Sequence, residues 1–194
     1  MAIKIFIDQG HNPGGVNAGA EGFGLFEQDV TYQVGMYLFD ILSRDPRFEA
    51  RVSRETPEEV LGFNNTSSLA ERVYMANSWP ADYFLSIHTN ANENPAINGT
   101  EAYVFRERSQ AYYLGEHITE AISKRLGTVN KGVFTAPSFY VLRNTSMPAV
   151  LVELAYITNA ADAQKLENDQ YQFAYAIYEG LLKYFGLENP GDFM

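Results

Sequence analysis

The sequence contains no cysteine, and this absence removes several kinds of chemistry at once. Without a thiol there can be no disulfide, no thiolate nucleophile and no cysteine-ligated zinc or iron–sulfur site. Any metal ion would have to be held by histidine and carboxylate side chains. Only three histidines are present, His11, His88 and His117, so each can be considered individually.

Long apolar runs and basic clusters are missing as well. No stretch of about 18 apolar residues predicts a membrane span, and the N-terminal MAIKIFID lacks the pattern of a secretory signal peptide. Acidic residues outnumber basic ones by 24 to 14, and no Lys/Arg cluster could follow a phosphate backbone. We therefore expect a soluble chain with no export signal, no nucleic-acid partner and no membrane insertion. Nothing requires an oligomer, and we expect a monomer.

The 194 residues, 46% of them hydrophobic, are enough for one substantial core and few for two. Strand-like and helix-like patterns alternate, which predicts an α/β sheet covered by helices on both faces. TSSLAER predicts a serine cap at the start of the second helix, and Gly186 is a suitable residue to end the last one. We expect one domain over residues 1–187, followed by a tail or truncated linker at 188–194. The predicted strands are 3–8, 49–54, 82–88, 100–106, 139–143 and 148–154, and the predicted helices are 27–44, 67–79, 109–126, 160–168 and 170–185.

Two histidines lie where predicted strands end. His11 follows IKIFID inside the glycine-rich string DQGHNPGG, and His88 ends the apolar run DYFLSIH. In open α/β sheets ligands gather outside the carboxyl ends of strands, so two imidazoles delivered there could share one metal ion. His117 lies within the helical pattern LGEHITEAISKRL and is interpreted as an ordinary structural or exposed residue.

A carboxylate would complete such a metal site, and two glutamates are candidates. Glu27 opens a helical pattern, where the helix dipole favours the ionised form that a metal ligand needs. Glu153 ends the apolar run AVLVEL, where burial would raise its pKa into the range useful for general acid–base catalysis. Each also has an ordinary explanation: helix-start preference for Glu27, and a strand-end carboxylate satisfied by a neighbour for Glu153. Two histidines and a glutamate with an open fourth position are a common way to bind catalytic zinc.

Several segments, taken in order along the chain, carry a resemblance to a known family. Together they resemble the zinc-dependent N-acetylmuramoyl-L-alanine amidases of the amidase-3 type, which include bacterial cell-wall hydrolases and phage endolysins. The resemblance extends from about residue 3 to about residue 186. The segments are FIDQGHNPGG, GLFEQDV, VSRE, SLAERVYMAN, ADYFLSIHTNA, NGTEAYVF, NKGVF and FYVLRNTSMPAVLVELAYITNAAD.

This resemblance implies a three-layer αβα fold with a six-stranded mixed, mostly parallel sheet. It also implies one zinc ion, bound by the residues that match the family's ligands, His11, Glu27 and His88. Glu153 matches the catalytic glutamate, which would take a proton from water and pass it to the departing amine. The implied reaction is hydrolysis of the amide between the lactyl group of N-acetylmuramic acid and L-alanine of the peptidoglycan stem peptide.

Under the same resemblance, Asn90, Asn92 and Lys131 are candidate substrate contacts. Two departures from the family pattern concern the site. Asn12 and Pro13 stand between His11 and the glycine pair where the common loop reads Gly-His-Gly-Gly, and Lys131 replaces a usual arginine, which keeps the charge but not the bidentate geometry. The segment after His88 is short, whereas family members regulated by a cleft-plugging helix have a longer insertion there. We therefore expect an open site.

Two alternatives from other classes remain at this point. One is a non-catalytic peptidoglycan-binding module that keeps the fold without turnover. The other is a zinc peptidase that cuts within the stem peptide. In all three cases the chain would act on the bacterial cell wall, and the sequence leaves open whether it is secreted, released by lysis or encoded by a phage.

Overall fold

Eight strands and six helices form within residues 1–191, the part of the chain that the computed structural model describes. The last three residues of the predicted tail, 192–194, lie outside the described residues. The strands are β1 (Ile3–Gln9), β2 (Glu21–Gly22), β3 (Leu25–Phe26), β4 (Phe48–Val52), β5 (Tyr83–Asn90), β6 (Thr100–Val104), β7 (Asn130–Thr135) and β8 (Ala149–Tyr156). The helices are α1 (Glu27–Arg44), α2 (Asn65–Ser78), α3 (Gln110–Leu126), α4 (Tyr140–Asn144), α5 (Ala160–Asn168) and α6 (Gln170–Phe185).

Six of these strands form one mixed sheet in the order β4-β1-β5-β8-β6-β7. Strands β4, β1, β5 and β8 run parallel to one another, β6 is antiparallel to β8, and β7 is parallel to β6. Strands β2 and β3 form a separate short hairpin. The predicted six-stranded, mostly parallel sheet is therefore confirmed.

Alternate side chains of the strands pack into two separate cores, one on each face of the sheet. Ile5 and Ile7 of β1 pack into the larger core with helices α1, α3 and α6, whereas Phe6 between them packs into the smaller core with α2 and α4. This alternation is what a strand covered on both faces requires. The three-layer arrangement is confirmed, and the face under α2 and α4 is the one that carries the site described below.

The helix ends show which local signals were interpreted correctly. Helix α6 ends as expected at Gly186, which adopts a left-handed conformation with φ 65°. Helix α2 is capped by Asn64 and not by a serine. The Asn64 side chain accepts from the Ser67 backbone N–H, and the Ser67 hydroxyl interacts with the Asn64 backbone in return, so the predicted serine cap is wrong. No helix within residues 1–191 has the length and apolarity needed to cross a membrane.

The predicted strand at 139–143 is wrong. That segment contains helix α4, and the sixth strand of the sheet is β7, which the sequence pattern did not indicate. Strand β7 contains Lys131 and Gly132 and has no fully buried residue, so its own sequence gives a weak strand signal, and its position depends on backbone pairing with β6. In α4 the adjacent residues Val141 and Leu142 are both buried in the smaller core, which one turn of helix allows and strand alternation does not.

Candidate metal centre

Adjacent parallel strands deliver the two histidines to the same edge of the sheet. Strands β1 and β5 pair directly, and His11 follows the end of β1 while His88 lies near the end of β5. The backbone of His11 has φ 69°, the left-handed region that non-glycine residues adopt mainly at turns and functional sites. Gly10 lies against the His88 ring: a Cβ there would be 2.5 Å from His88 Cε1, so only glycine fits.

Glu27 brings a buried carboxylate to the same place from the first residue of α1. Its Oε1 accepts from the backbone N–H of Thr89 at 2.9 Å, and its Oε2 accepts from the backbone N–H of Ala20 at 2.8 Å. Burial alone would raise the pKa of Glu27, but its contacts with His11 and His88 outweigh that penalty and hold the pKa far below its ordinary value. Glu27 is therefore an anion, as a metal ligand must be.

The three side chains converge on one point. His11 Nε2 and His88 Nδ1 lie 3.3 and 3.2 Å from Glu27 Oε1, and the potential ligand atoms are all within 4.8 Å of one another. The other ring nitrogen of His11, Nδ1, is 3.0 Å from the Asn17 carbonyl oxygen and donates there, so Nε2 is the ring nitrogen that would bind a metal. Two imidazoles and one carboxylate are a donor set that fits a divalent metal such as zinc.

Glu153 lies beside this cluster on β8. It is in register with His88 on one side and with Glu101 of β6 on the other. Its Oε2 is buried and has no hydrogen-bond partner among the residues of the described chain. Burial raises the pKa of Glu153 well above its ordinary value, and the negative charges of Glu27 and Glu101 raise it further. The Glu153 carboxyl therefore binds a proton more tightly than an ordinary glutamate, which suits a general acid–base residue.

Sequence reasoning missed Glu101, which organises the other side of the cleft. This buried carboxylate accepts hydrogen bonds from the hydroxyls of Tyr103 at 2.7 Å and Tyr156 at 3.3 Å, and from the side-chain amide of Asn90. Lys131 Nζ lies 3.9 Å from its other oxygen. A glutamate within the mainly buried strand segment TEAYV was the available signal, because a buried charge normally has partners.

The predicted substrate contacts are placed in two different environments. Asn90 and Lys131 both contact Glu101 and therefore lie together near Glu153. Asn92 lies in the exposed loop that follows β5, where its side-chain oxygen accepts from the backbone N–H of Asn94. The structure thus brings Asn90 and Lys131 together and leaves Asn92 engaged in a local turn.

The insertion of Asn12 into the glycine-rich loop has a clear structural role. Asn12 is fully buried, and its side-chain amide donates to the Leu61 carbonyl at 2.9 Å and to Ser68 Oγ at 3.2 Å. Its side-chain oxygen accepts from Arg72 at 2.9 Å. The loop that carries His11 is therefore tied to α2 by buried hydrogen bonds, which compensates for the departure from the common loop sequence.

The metal centre opens into a cleft on the side of α2 and α4. A cavity of about 310 Å³ lies against His11 and His88, with apolar walls that include Leu69, Phe139 and Leu151. The histidine side chains retain 20% and 17% of their exposure. Residues 91–99, between β5 and β6, contain no helix that could cover the centre. The expectation of an open site is confirmed.

Comparisons with known proteins agree with this description. Residues 5–183 match the family model of the N-acetylmuramoyl-L-alanine amidases called Amidase_3. The N-acetylmuramoyl-L-alanine amidase LytC of Bacillus subtilis is 39% identical over 93% of this chain, and the amidase CwlM of Bacillus licheniformis is 36% identical over 95%. The chain covers 35% of the length of LytC and 70% of that of CwlM, and it covers about a third of the first two curated relatives. The catalytic domain of the amidase CwlV from Paenibacillus polymyxa superposes with a TM-score of 0.83 at 29% identity, covering 96% of this chain and 99% of that domain.

Proposed function

The chain belongs to the amidase-3 family of N-acetylmuramoyl-L-alanine amidases, and from that premise we propose that it hydrolyses the amide between the lactyl group of N-acetylmuramic acid and L-alanine of the stem peptide. One zinc ion is the proposed cofactor. The observation that carries the proposal is the convergence of His11, Glu27 and His88 within 4.8 Å, with the proton-exchanging carboxyl of Glu153 alongside.

The three proposed ligands have separate tasks. His11 and His88 supply neutral nitrogens, and Glu27 supplies the negative charge that two neutral imidazoles lack. Bound zinc would contribute Lewis-acid activation of the lactyl carbonyl and of a water molecule. The backbone N–H groups that donate to Glu27 fix the carboxylate, and Gly10 allows the His88 ring to lie close against the β1 end.

Glu153 is the proposed general acid–base residue. Its unpaired buried oxygen is available to accept a proton from the attacking water, and the same carboxyl can then donate that proton to the departing amine of L-alanine. Burial, and then the nearby carboxylates, raise its pKa, so the Glu153 carboxylate takes up the water's proton more readily than an ordinary glutamate would. Because no covalent intermediate is needed, the mechanism is compatible with the absence of cysteine.

Asn90 and Lys131 are the proposed substrate contacts on the side of Glu101. The amide of Asn90 offers a donor and an acceptor for peptide groups, and Lys131 offers a positive charge to a carboxylate of the stem peptide. Asn92 remains a weaker candidate of the same kind, since its side chain is already engaged in a turn. We assign the catalytic domain to residues 1–187 and the site of action to the bacterial cell wall, with peptidoglycan as the partner and a monomer as the working form.

The test is an incubation of the purified protein with muropeptides, analysed by mass spectrometry. The reaction is run as purified, after chelation, and with zinc added back. Release of a stem peptide with a free L-alanine N-terminus, lost on chelation and recovered with zinc, supports the amidase. Intact muropeptides in the presence of bound zinc would indicate a binding module, and cleavage within the stem peptide would indicate a peptidase.

A further inference from the structure

We propose that Asp8 and Ser86 form a hydrogen-bond relay that fixes the tautomer of His88, so that this ring presents Nδ1 and not Nε2 to the metal. The proposal rests on the metal site of the proposed function. It concerns two residues that neither bind the metal nor contact the reacting groups, and that act only through His88.

The three side chains are brought into line by strand register. Asp8 of β1 pairs with Ser86 of β5, and His88 lies two residues further along β5, on the same face of the sheet. His88 Nε2 is 3.1 Å from Ser86 Oγ, and Ser86 Oγ is 2.7 Å from Asp8 Oδ2. Asp8 and Ser86 are both buried, with 1% and 0% exposure, so water cannot readily replace either partner.

The far end of the relay is fixed by Arg72. Its Nη1 donates to Asp8 Oδ1 at 2.6 Å, and its side chain is as deeply buried as that of Asp8. Burial alone would raise the pKa of Asp8, but Arg72 and the hydrogen bond from Ser86 lower it below the ordinary value. Asp8 is therefore an ionised carboxylate, which can accept hydrogen bonds and cannot donate one.

Counting hydrogens along this line leaves one arrangement. The Ser86 hydroxyl has a single hydrogen, and the short contact with an acceptor-only carboxylate requires that this hydrogen point to Asp8. Ser86 Oγ then faces His88 Nε2 as an acceptor, so Nε2 must carry the ring hydrogen. Nδ1, which lies 3.2 Å from Glu27 Oε1, is then the ring nitrogen left to bind the metal.

Arg72 also helps to position the other histidine, His11. Its Nη2 donates to the carbonyl oxygen of His11 at 2.6 Å and to Asn12 Oδ1 at 2.9 Å. One buried guanidinium thus holds the carboxylate that orients His88 and the backbone that positions His11. Partners of this kind, which orient metal ligands without touching the metal, typically change metal affinity 10–100-fold when they are removed.

The relay makes a specific prediction for Asp8→Asn. With its side-chain oxygen towards Arg72, the asparagine would place its NH₂ group against Ser86. Ser86 would then have to accept from residue 8 and donate to His88 Nε2, which moves the ring hydrogen to Nδ1. The substitution preserves shape, so a change of tautomer separates the relay from a merely structural role.

The experiment is ¹⁵N NMR of the imidazole rings in the metal-free protein, combined with zinc affinity from chelator competition. With three histidines in the chain, each ring can be resolved. The matched control is Ser53→Ala, because Ser53 is also a buried hydroxyl that contacts Arg72, at 3.3 Å, and is not part of the line to His88. We expect His88 Nε2 to carry a hydrogen in the wild type and in Ser53→Ala. We expect the Nδ1–H form in Asp8→Asn, with zinc binding about 10–100-fold weaker.

A wild type whose His88 Nε2 carries no hydrogen, or an Asp8→Asn variant whose Nε2 still carries one, would overturn the proposal. If Asp8→Asn does not fold, as judged by circular dichroism, Ser86→Ala tests the same relay. Loss of a single defined His88 tautomer would support it, and retention of pure Nε2–H would overturn it. These readouts need no substrate. An inactive protein with the expected tautomers would therefore contradict the amidase proposal alone, whereas an active enzyme with unchanged tautomers in both variants would contradict the relay alone.

Discussion

The substitution Glu153→Gln is expected to stop turnover and to stabilise the metal-free protein. Two features of the site produce both effects: the buried Oε2, which has no hydrogen-bond partner within residues 1–191, and the neighbouring carboxylates of Glu27 and Glu101. Glutamine keeps the shape of the side chain but can neither carry the negative charge nor exchange a proton. Loss of general acid–base catalysis of this kind lowers the rate about 10²–10⁴-fold.

The stability effect has a definite sign with pH. The pKa of Glu153 is higher in the folded than in the unfolded protein, so the folded state binds the proton more tightly. The stability associated with this proton is fully present below the unfolded pKa, near 4, and is lost as the pH rises through the folded pKa. Glutamine cannot ionise, so Glu153→Gln does not lose this stability as the pH rises. The difference in unfolding free energy between the variant and the wild type therefore grows with pH.

The size of the effect follows from the burial of the group. A buried polar group left unsatisfied costs about 1–3 kcal/mol, and more when it is charged. For a domain of 150–250 residues, 1 kcal/mol moves the Tm by about 2–4 °C, so Glu153→Gln should raise the Tm of this 194-residue chain by about 2–12 °C at pH 8. At pH 5 the difference should be smaller.

The assay is thermal unfolding of the chelator-treated protein at both pH values, together with muropeptide hydrolysis by the zinc-loaded protein. Glu167→Gln serves as the control, because Glu167 is exposed on α5 and the same chemical change there should alter neither Tm nor rate. A lower Tm for Glu153→Gln at pH 8, or a gain that is larger at pH 5, would refute the electrostatic reasoning. Wild-type rates in Glu153→Gln would refute its role in proton transfer.

Three other substitutions test separate parts of the structure. His11→Ala removes one of the three proposed ligands and should abolish stoichiometric zinc binding, measured by atomic absorption; retention of one zinc per chain would contradict the proposed set. Lys131→Ala should raise KM about 10-fold or more with a smaller change in kcat, whereas Lys131→Arg should keep KM within a few-fold, and equal KM values for all three proteins would exclude a charge contact. Asp45→Asn should cost about 1–3 kcal/mol of unfolding free energy at pH 7, because Arg47 and Tyr178 outweigh the burial penalty and lower the pKa of Asp45. That stability is present above about pH 4 and is lost as the pH falls through the folded pKa, so urea unfolding that shows the same cost at pH 2.5 and pH 7 would contradict it.

The elements that sequence predicted well are those whose signal is local. Continuous β-like and apolar runs mark β1 and β5, and a three-to-four-residue repeat marks α1, so the strand ends that carry His11 and His88 could be located in advance. Strand β7 could not be located from the sequence, because Lys131 and Gly132 give little strand preference. Only pairing with β6 holds that segment extended. The adjacent apolar residues Val141 and Leu142 suggested a strand, but their segment forms helix α4. Local composition does not reveal which side of a segment is buried, so it could not distinguish the two.

The parts of the site that sequence did not predict depend on distant contacts. Arg72 lies on α2, 64 residues from Asp8, and nothing in its own segment indicates that it will be buried beneath the metal centre. Glu101 likewise obtains its partners from β5, β7 and β8. Periodicity places a side chain on a face, but only the strand order determines which charges meet there.

The reversed direction of β6 and β7 has a consequence for how the entrance to the cleft can vary. Because these two strands run opposite to β8, their first residues lie at the edge where β8 reaches its end, and Glu101 and Lys131 stand near the beginnings of their strands. The connections that precede these strands, residues 91–99 and 127–129, therefore border the same opening as the loops that follow β1 and β5. Lengthening either connection would reshape the rim of the cleft, and so the size of the molecules it admits, while His11, Glu27 and His88 stay in place.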